Sequence, residues 1–499
     1  MRYGFVIDHE RCIGCHACTV ACKEEHQVPV GVFRTWVKYV ETGQFPDTRR
    51  HFGVMRCNHC DDAPCIEICP TRALFRRPDG IVDFDNQRCI GCKGCMQACP
   101  YDALYIDPNS NTAAKCNFCA HRVEKNLEPA CVIVCPTQAI LAGDMDNPSS
   151  KTGVVIASGG TSVRKPEKET LPKLHYVGIH PDLLQPARLA KQDGFLWADR
   201  REVPTTVAGF NPASTREVYD VSHPAPWGWK IAAYLWTKSI AAGVLLVAAV
   251  LMGIFGIQGS IVNVISPAIA LIAVTATAAL LVIDLKRPDR FYYLLTKPNF
   301  RSWLVLGGFI LMVYGALAAV WLGLGILYDS VPAAVVWAAA VFGAGTAGYS
   351  AFLFAQARGR DFWRHKWFFC WQLLVQAFVA GSAVLVIASL ELFQPGAVNP
   401  LRIVLEWSLV LATVNVVVEL VIPRRTEEER IAKRFLISGA AGSRFWVSAV
   451  ILGLLCPLGL SVLPNAVHAA TGVAAVLALY GLFWFEYLWL QAGQAAPLS

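Results

Sequence analysis

Residues 89–100 read CIGCKGCMQACP, placing Cys89, Cys92, Cys95 and Cys99 in a C-x2-C-x2-C-x3-C spacing closed by Pro100. The same spacing opens the chain at Cys12, Cys15, Cys18 and Cys22. Two looser versions are Cys57/Cys60/Cys65/Cys69, followed by Pro70, and Cys116/Cys119/Cys131/Cys135, followed by Pro136. Sixteen of the eighteen cysteines therefore lie before residue 136, in groups of four. The text also repeats: VIDHERCIGCHACTVAC (6–22) is echoed by IVDFDNQRCIGCKGCMQAC (81–99), and CNHC (57–60) by CNFC (116–119). Self-similarity of this kind marks a duplicated unit. The opening MRYGFVID carries neither an apolar leader nor a twin-arginine pair, so metal ligation in a reducing compartment is expected, not disulfides. Structural zinc closes on two CxxC knuckles and has no use for this third cysteine and the C-P ending.

The spacing is the bacterial ferredoxin run. Three close thiolates grip one face of a [4Fe–4S] cube, and the fourth, before proline, reaches a second cube. Iron in such clusters prefers soft sulfur, and short spacers let one loop wrap the cube. Over roughly 1–145 the four-group arrangement resembles the iron–sulfur subunits of molybdenum or tungsten bis-pterin enzymes, the polysulfide, dimethyl sulfoxide, formate and nitrate oxidoreductases. In that family groups one and four fold together, and so do two and three. The resemblance implies four [4Fe–4S] clusters, on Cys12/Cys15/Cys18/Cys135, Cys22/Cys116/Cys119/Cys131, Cys57/Cys60/Cys65/Cys99 and Cys69/Cys89/Cys92/Cys95. It further implies that the first two face a catalytic partner and the Cys57 cluster the membrane.

Of 499 residues, 55% are hydrophobic and only 16% charged, and the apolar excess is confined to 227–492. Three regions are expected: a ferredoxin-like domain (1–145), a loop-rich linker (146–226) and a membrane domain (227–499). The linker holds NPSSKTG, SGGTSVRKPEKETLPK and REVPTTVAGFNPAST, a composition of turns with at most a few short strands. Within it, Lys165 to Lys173 reads as a solvated charge run, and Trp227 and Trp229 beyond it as interfacial anchors. Eight apolar runs follow, at about 230–256, 262–284, 302–326, 333–357, 368–391, 402–422, 445–463 and 467–490, each near the ~20 residues a bilayer requires. The fold class is thus α+β, a duplicated bacterial-ferredoxin module, followed by an all-α eight-helix transmembrane bundle.

Eight spans put both termini on one side. The loops on that side, after runs two, four and six, hold fifteen Lys and Arg, Arg424 among them; the opposite loops hold Arg402 alone. The positive-inside rule places the termini and the ferredoxin module in the cytoplasm of a multi-pass protein of the cell's inner (plasma) membrane. The net charge of +7 reports this topology, and no nucleic-acid partner is expected.

PWGWKIAAYLWTKSIAAG (226–243) and DLKRPDRFYYLLTKPNFRSW (284–303), with the helix count, make this half resemble the eight-helix NrfD/polysulfide-reductase membrane subunit. The resemblance implies a quinone-handling anchor without haem, taking menaquinone or ubiquinone. The histidines of the membrane half, His365 and His468, fall short of the two intramembrane pairs of a b-type cytochrome. Ionisable residues inside spans are costly and so become functional candidates. Lys238 and Tyr234, with Lys230 on the same stripe, and Asp284 after run two are candidates for a quinone site. Glu406 and Glu419 are candidates for a proton path, while Glu486 and His365 complete the set. The small residues of AAAVFGAGTAGYSAF (338–352) point to close helix packing, not a pocket.

These readings imply an electron-transfer and membrane-anchor subunit. It would relay electrons between a molybdopterin (Mo or W) catalytic partner and the quinone pool of the lipid bilayer, as a component and not a complete enzyme. The alternative is an ion- or proton-translocating module of a redox complex, driven by the clusters without a quinone site.

Overall fold

The computed structural model describes all residues except 45, 192–214, 392–394, 424 and 463–467. Arg424, most of REVPTTVAGFNPAST and the boundary of the last two apolar runs therefore lie outside the described residues. The chain divides into two compact units, Met1–Pro224 with Pro497–Ser499, and Ala225–Ala496.

Among the described residues, the strands of the first unit are β1 (Tyr3–Asp8), β2 (Thr35–Gln44), β3 (Asp47–Arg56), β4 (Leu74–Arg76), β5 (Val82–Phe84), β6 (Leu104–Ile106), β7 (Ala113–Lys115), β8 (Ile140–Asp144), β9 (Leu174–Val177), β10 (Ala190–Lys191) and β11 (Arg216–Tyr219). Phe5, Val6 and Ile7 form an unbroken buried run, as a central strand demands. β1 accordingly pairs on both sides, antiparallel to β8 and parallel to β9.

Antiparallel pairing explains how distant cysteines meet. Ile7 faces Ile140, so the chain leaving β1 towards Cys12 lies beside the chain arriving from Cys135. The β4–β5 hairpin pairs Leu74 with Phe84 and so brings Cys69, before it, to Cys89, after it. The β6–β7 hairpin pairs Leu104 with Lys115 and links the chain after Cys99 to the chain before Cys116, which belong to different sets. Short helices, Pro64–Ile68 and Gly94–Ala98, precede the two hairpins at equivalent places, which is the duplication seen in three dimensions.

The described part of 146–226 belongs to this unit as far as Pro224: it supplies β9 to the central sheet and β11 to the four-stranded sheet β10-β11-β2-β3. The charge run is solvated only at its acids: Glu167 and Glu169 are exposed, while its lysines are not. Arg164, Lys165, Lys168 and Lys173 are all buried, because the backbone at 170–173 lies against 58–62 and carbonyls receive the cations. Lys173 Nζ donates to Gly80 O at 2.5 Å, and Arg164 Nη2 to Leu498 O at 2.9 Å.

In the second unit, eight helices among the described residues are long and apolar enough to cross a membrane. They are Trp229–Gly253, Ile261–Asp284, Trp303–Tyr328, Ala333–Ala355, Lys366–Leu390, Gly396–Val421, Gly442–Val462 and Ala469–Ala495, here called helices one to eight. Helix one is the most buried, at 78%, and so is the central element of the bundle. It approaches helix five so closely that a methyl group on Gly243 would sit 1.8 Å from Ala377 O. Trp227 does not anchor at a surface. It is 5% exposed and stacks on Trp363 at 5.7 Å, while Trp229 is exposed. An indole stacked on other rings gains more than one left at the rim.

Candidate functional site

In the first unit the cysteine loops are shaped by left-handed residues. Gly14 (φ +68°) and Gly91 (φ +69°) hold equivalent places, followed by His16 and Lys93 at +60° and +64°. Such turns aim backbone N–H groups inward as an anion-binding nest. Gly91 N–H donates to Cys89 Sγ at 3.4 Å, His59 N–H to Cys57 Sγ at 3.4 Å and Ala139 N–H to Cys135 Sγ at 3.2 Å. A side chain at Gly14 would overlap the Phe52 ring.

The thiols gather by the neighbours that act on them. Burial pushes up Cys12, with the Cys135 and Cys15 thiols beside it. Burial raises Cys18 to about 11, with Cys131 and Cys12 adding to the shift. Burial pushes up Cys22, beside Cys116, Cys131 and Cys119. Cys65, raised by burial, has Cys99, Cys57 and Cys60 around it. Cys92, raised to about 12 by burial, neighbours Cys69 and Cys89. Most of these neighbours fall within one of the groupings that the resemblance implies, and Cys131 beside Cys18 joins two of them.

Contacts between sets run in one line. Cys18 is acted on by Cys131, Cys116 by Cys57, and Cys95 by Cys65. The order is therefore the Cys12 set, the Cys22 set, the Cys57 set and the Cys69 set. All thiols of the two middle sets are buried, whereas Cys15 is exposed and Cys12, Cys135, Cys89 and Cys92 are half-buried at the ends. In this order the Cys57 set is an interior member of the line and the Cys69 set a terminal one.

The donors fit a cluster better than a single ion. Among the described residues no three His, Cys, Asp or Glu converge closely enough for one metal ion. A zinc ion with Zn–S near 2.3 Å would draw its four sulfurs to within about 4 Å of one another. Four thiols spaced wider, around a space such as the roughly 390 Å³ cavity lined by Cys69, Cys89, Cys92 and Cys95, suit a cube that offers one iron to each.

In the second unit Lys238 is fully buried and does not reach for the membrane surface. Its Nζ donates to Ala347 O at 2.8 Å and to Ser350 Oγ at 2.9 Å, both on helix four. Tyr234 Oη bonds Ser350 Oγ at 2.7 Å and also Tyr349 Oη. The Nζ lies 5.3 Å from the Tyr349 ring centre. From helix eight, Glu486 accepts from Ser239 Oγ at 3.2 Å. Glu486 Oε2 is buried without a hydrogen-bond partner among the described residues. A lysine at helix centre costs about 2.5–3.5 kcal/mol on insertion scales, which makes this constellation a candidate functional site.

The other candidates are not brought to it. Lys230 Nζ donates to Ile283 O at 3.3 Å, which sets Asp284 at the level of Lys230, eight residues and about 12 Å of helix rise from Lys238. Glu406 pairs with Arg402 at 3.4 Å on its own helix. Glu419 lines a separate small cavity with Lys433, and His365 pairs with Glu429 at 3.4 Å. Sequence reasoning missed Tyr349 and Ser350, which lie in the stretch read as small-residue packing. Their polar groups among Gly and Ala were the available signal.

Sixteen grouped thiols and a bundle of apolar helices define a multi-pass membrane iron–sulfur protein. A 4Fe-4S binding domain matches residues 3–24 and a 4Fe-4S dicluster domain residues 49–145, while polysulphide reductase NrfD matches 217–497. The last match spans more than half the chain, which therefore belongs to the NrfD polysulphide reductase family, with an iron–sulfur subunit of the oxidoreductase type fused before it. A tetrathionate reductase subunit of Salmonella typhimurium is 41% identical over 40% of this chain and 80% of its own. A polysulfide reductase component of Wolinella succinogenes is 42% identical over 35% and 94%. The arsenate respiratory reductase iron-sulfur subunit ArrB of a Shewanella species is 35% identical over 36% and 96%. The chain is an electron-transfer protein that binds 4Fe-4S clusters and carries its own membrane anchor.

Proposed function

We propose that the chain relays electrons through four [4Fe–4S] clusters between a molybdopterin (Mo or W) catalytic partner and membrane quinone. The observation that carries this reading is the single line of four thiol sets with buried middle members and partly exposed ends. Bound clusters supply one-electron transfer; the chain supplies sixteen thiolates, N–H donors to sulfur and a protein wall around the inner sets. Electrons enter and leave at the partly exposed ends, by Cys12/Cys15/Cys18/Cys135 and by Cys69/Cys89/Cys92/Cys95. The names of the relatives, reductase components for tetrathionate, polysulfide and arsenate, support a separate catalytic partner.

In the membrane unit, Lys238 with Tyr234, Tyr349 and Ser350 forms the polar group that receives the quinone head. A protonated lysine donates to a ring carbonyl, and Glu486 is the acid nearest to return the proton. Asp284 serves the entrance, near Lys230. Glu406 and Glu419 belong to a proton path. The basic loops support a cytoplasmic ferredoxin unit in the inner (plasma) membrane.

Isolation of the native complex tests the partner. Molybdenum or tungsten co-purifying in stoichiometric amount with about sixteen iron atoms per chain is expected. A complex with full iron and neither metal contradicts it.

A further inference from the structure

A cavity of the membrane unit lies away from Lys238. About 410 Å³ of space opens between helices five, six, seven and eight. Its walls are apolar, among them Val379, Val416, Leu454 and Phe485, and Gly453 and Gly481 let helices seven and eight meet beside it. Helix seven is wound as a π-helix over Phe445–Leu455, and this wider segment contributes Ala449, Gly453 and Leu454 to the wall.

Three carboxamides face this space, those of Gln372, Gln376 and Asn415. Two of them are left with unused atoms. Gln376 and Asn415 are each 5% exposed, yet among the described residues Gln376 Oε1 and Asn415 Nδ2 have no hydrogen-bond partner. The orientation of Asn415 is fixed chemically. Trp371 Nε1 lies 3.1 Å from its Oδ1, and an indole N–H can only donate. Asn415 therefore presents N–H and Gln376 presents an acceptor, in a compartment where orphaned polar atoms are costly.

We propose that this cavity is a second, separate binding site for a lipophilic ring bearing oxygen, a quinone or quinol head. A ring carbonyl accepts from Asn415, and a ring hydroxyl donates to Gln376. A phospholipid acyl chain would fill the volume and satisfy neither atom. Val416 and Phe485 also line the small cavity that holds Glu419 and Lys433, so the two cavities adjoin. The proposal takes its ligand class from the quinone reading above but not its place.

The test is photolabelling of the full chain in nanodiscs with an azido-quinone, followed by peptide mapping. Label is expected on peptides containing 372–379 and 412–416. Asn415→Leu and, independently, Ala478→Phe, which fills the cavity without touching an amide, are expected to reduce that label at least tenfold at unchanged cluster absorbance. Label confined to the helices around Lys238 overturns this proposal and leaves the first site standing. Label confined to the cavity supports it and overturns the first. No label at 372–379 or 412–416, or label undiminished in both variants, overturns it.

Discussion

Arg56 donates from Nη1 to Cys131 Sγ at 3.1 Å, from a side chain with no access to solvent. Its guanidinium stays charged despite burial, held by the thiols of Cys131, Cys116 and Cys18. Arg56 thus stands where the Cys12 set meets the Cys22 set, over the Phe5 ring at 4.6 Å. Its Nε and Nη2 have no partner among the described residues, and cluster sulfides are the acceptors that would use them.

A fixed positive charge beside two clusters makes them easier to reduce. At about 7 Å and an effective dielectric near 20 the interaction is about 2.4 kcal/mol, on the order of 100 mV for one electron. Arg56→Gln is expected to lower the midpoint potential of one or both clusters by that order, read by EPR redox titration. The other clusters keep theirs.

Removing one ligand from an inner set breaks the line. Cys57→Ser or Cys116→Ser is expected to lower iron content by up to about a quarter and to stop electron transfer from end to end. Substitution at exposed Cys15 spares the inner clusters. Chelating all iron unfolds the first unit, since cluster binding and folding share one free energy; circular dichroism before and after chelation reads this.

Lys238→Met keeps the volume and removes the charge. Loss of a hydrogen bond to a charged group costs about 1.5–3 kcal/mol, so quinol-driven cluster reduction is expected to slow ten- to a hundredfold. Lys238→Arg restores part of the rate if charge matters, and none if the lysine only fills space. Glu486→Gln slows the same reaction with a solvent deuterium effect.

His223 joins Asp102 at 3.1 Å and neighbours Asp220, which pairs with Lys38 at 3.0 Å. Burial alone would lower the imidazole, but Asp220 and Asp102 more than offset it, and the net shift is upward. A raised folded pKa means that the protonated form stabilises. The contribution is full below about pH 6.5 and is lost as pH rises through the folded value. His223→Ala is expected to lower thermal stability at pH 6 and to matter progressively less at alkaline pH, followed by loss of visible cluster absorbance.

The cluster ligands were legible because their spacing is chemistry written along the chain. Long-range pairing was read from the family resemblance and not from spacing; strand pairing adds that β1–β8 sets the Cys135 end beside the Cys12 loop and β4–β5 sets Cys69 towards Cys89. The burial of Lys165, Lys168 and Lys173 was not legible: composition marks a charge as solvated until a backbone segment from elsewhere supplies its carbonyls. Lys238 was visible as a costly residue, but Ser350 and Tyr349 were hidden in a Gly/Ala stretch, and Glu486 could be joined to it only through the meeting of helices one and eight. Asp284 showed the opposite limit, for sequence proximity to a span says little about depth.

The central claim is that quinol and clusters exchange electrons within this one chain. It is tested most directly by adding quinol anaerobically to the purified protein in nanodiscs and following cluster absorbance and EPR. Reduction of the clusters, blocked by a quinol analogue and slowed in Lys238→Met, is the predicted result. Clusters that dithionite reduces but quinol leaves oxidised, at a quinol potential below theirs, would contradict it.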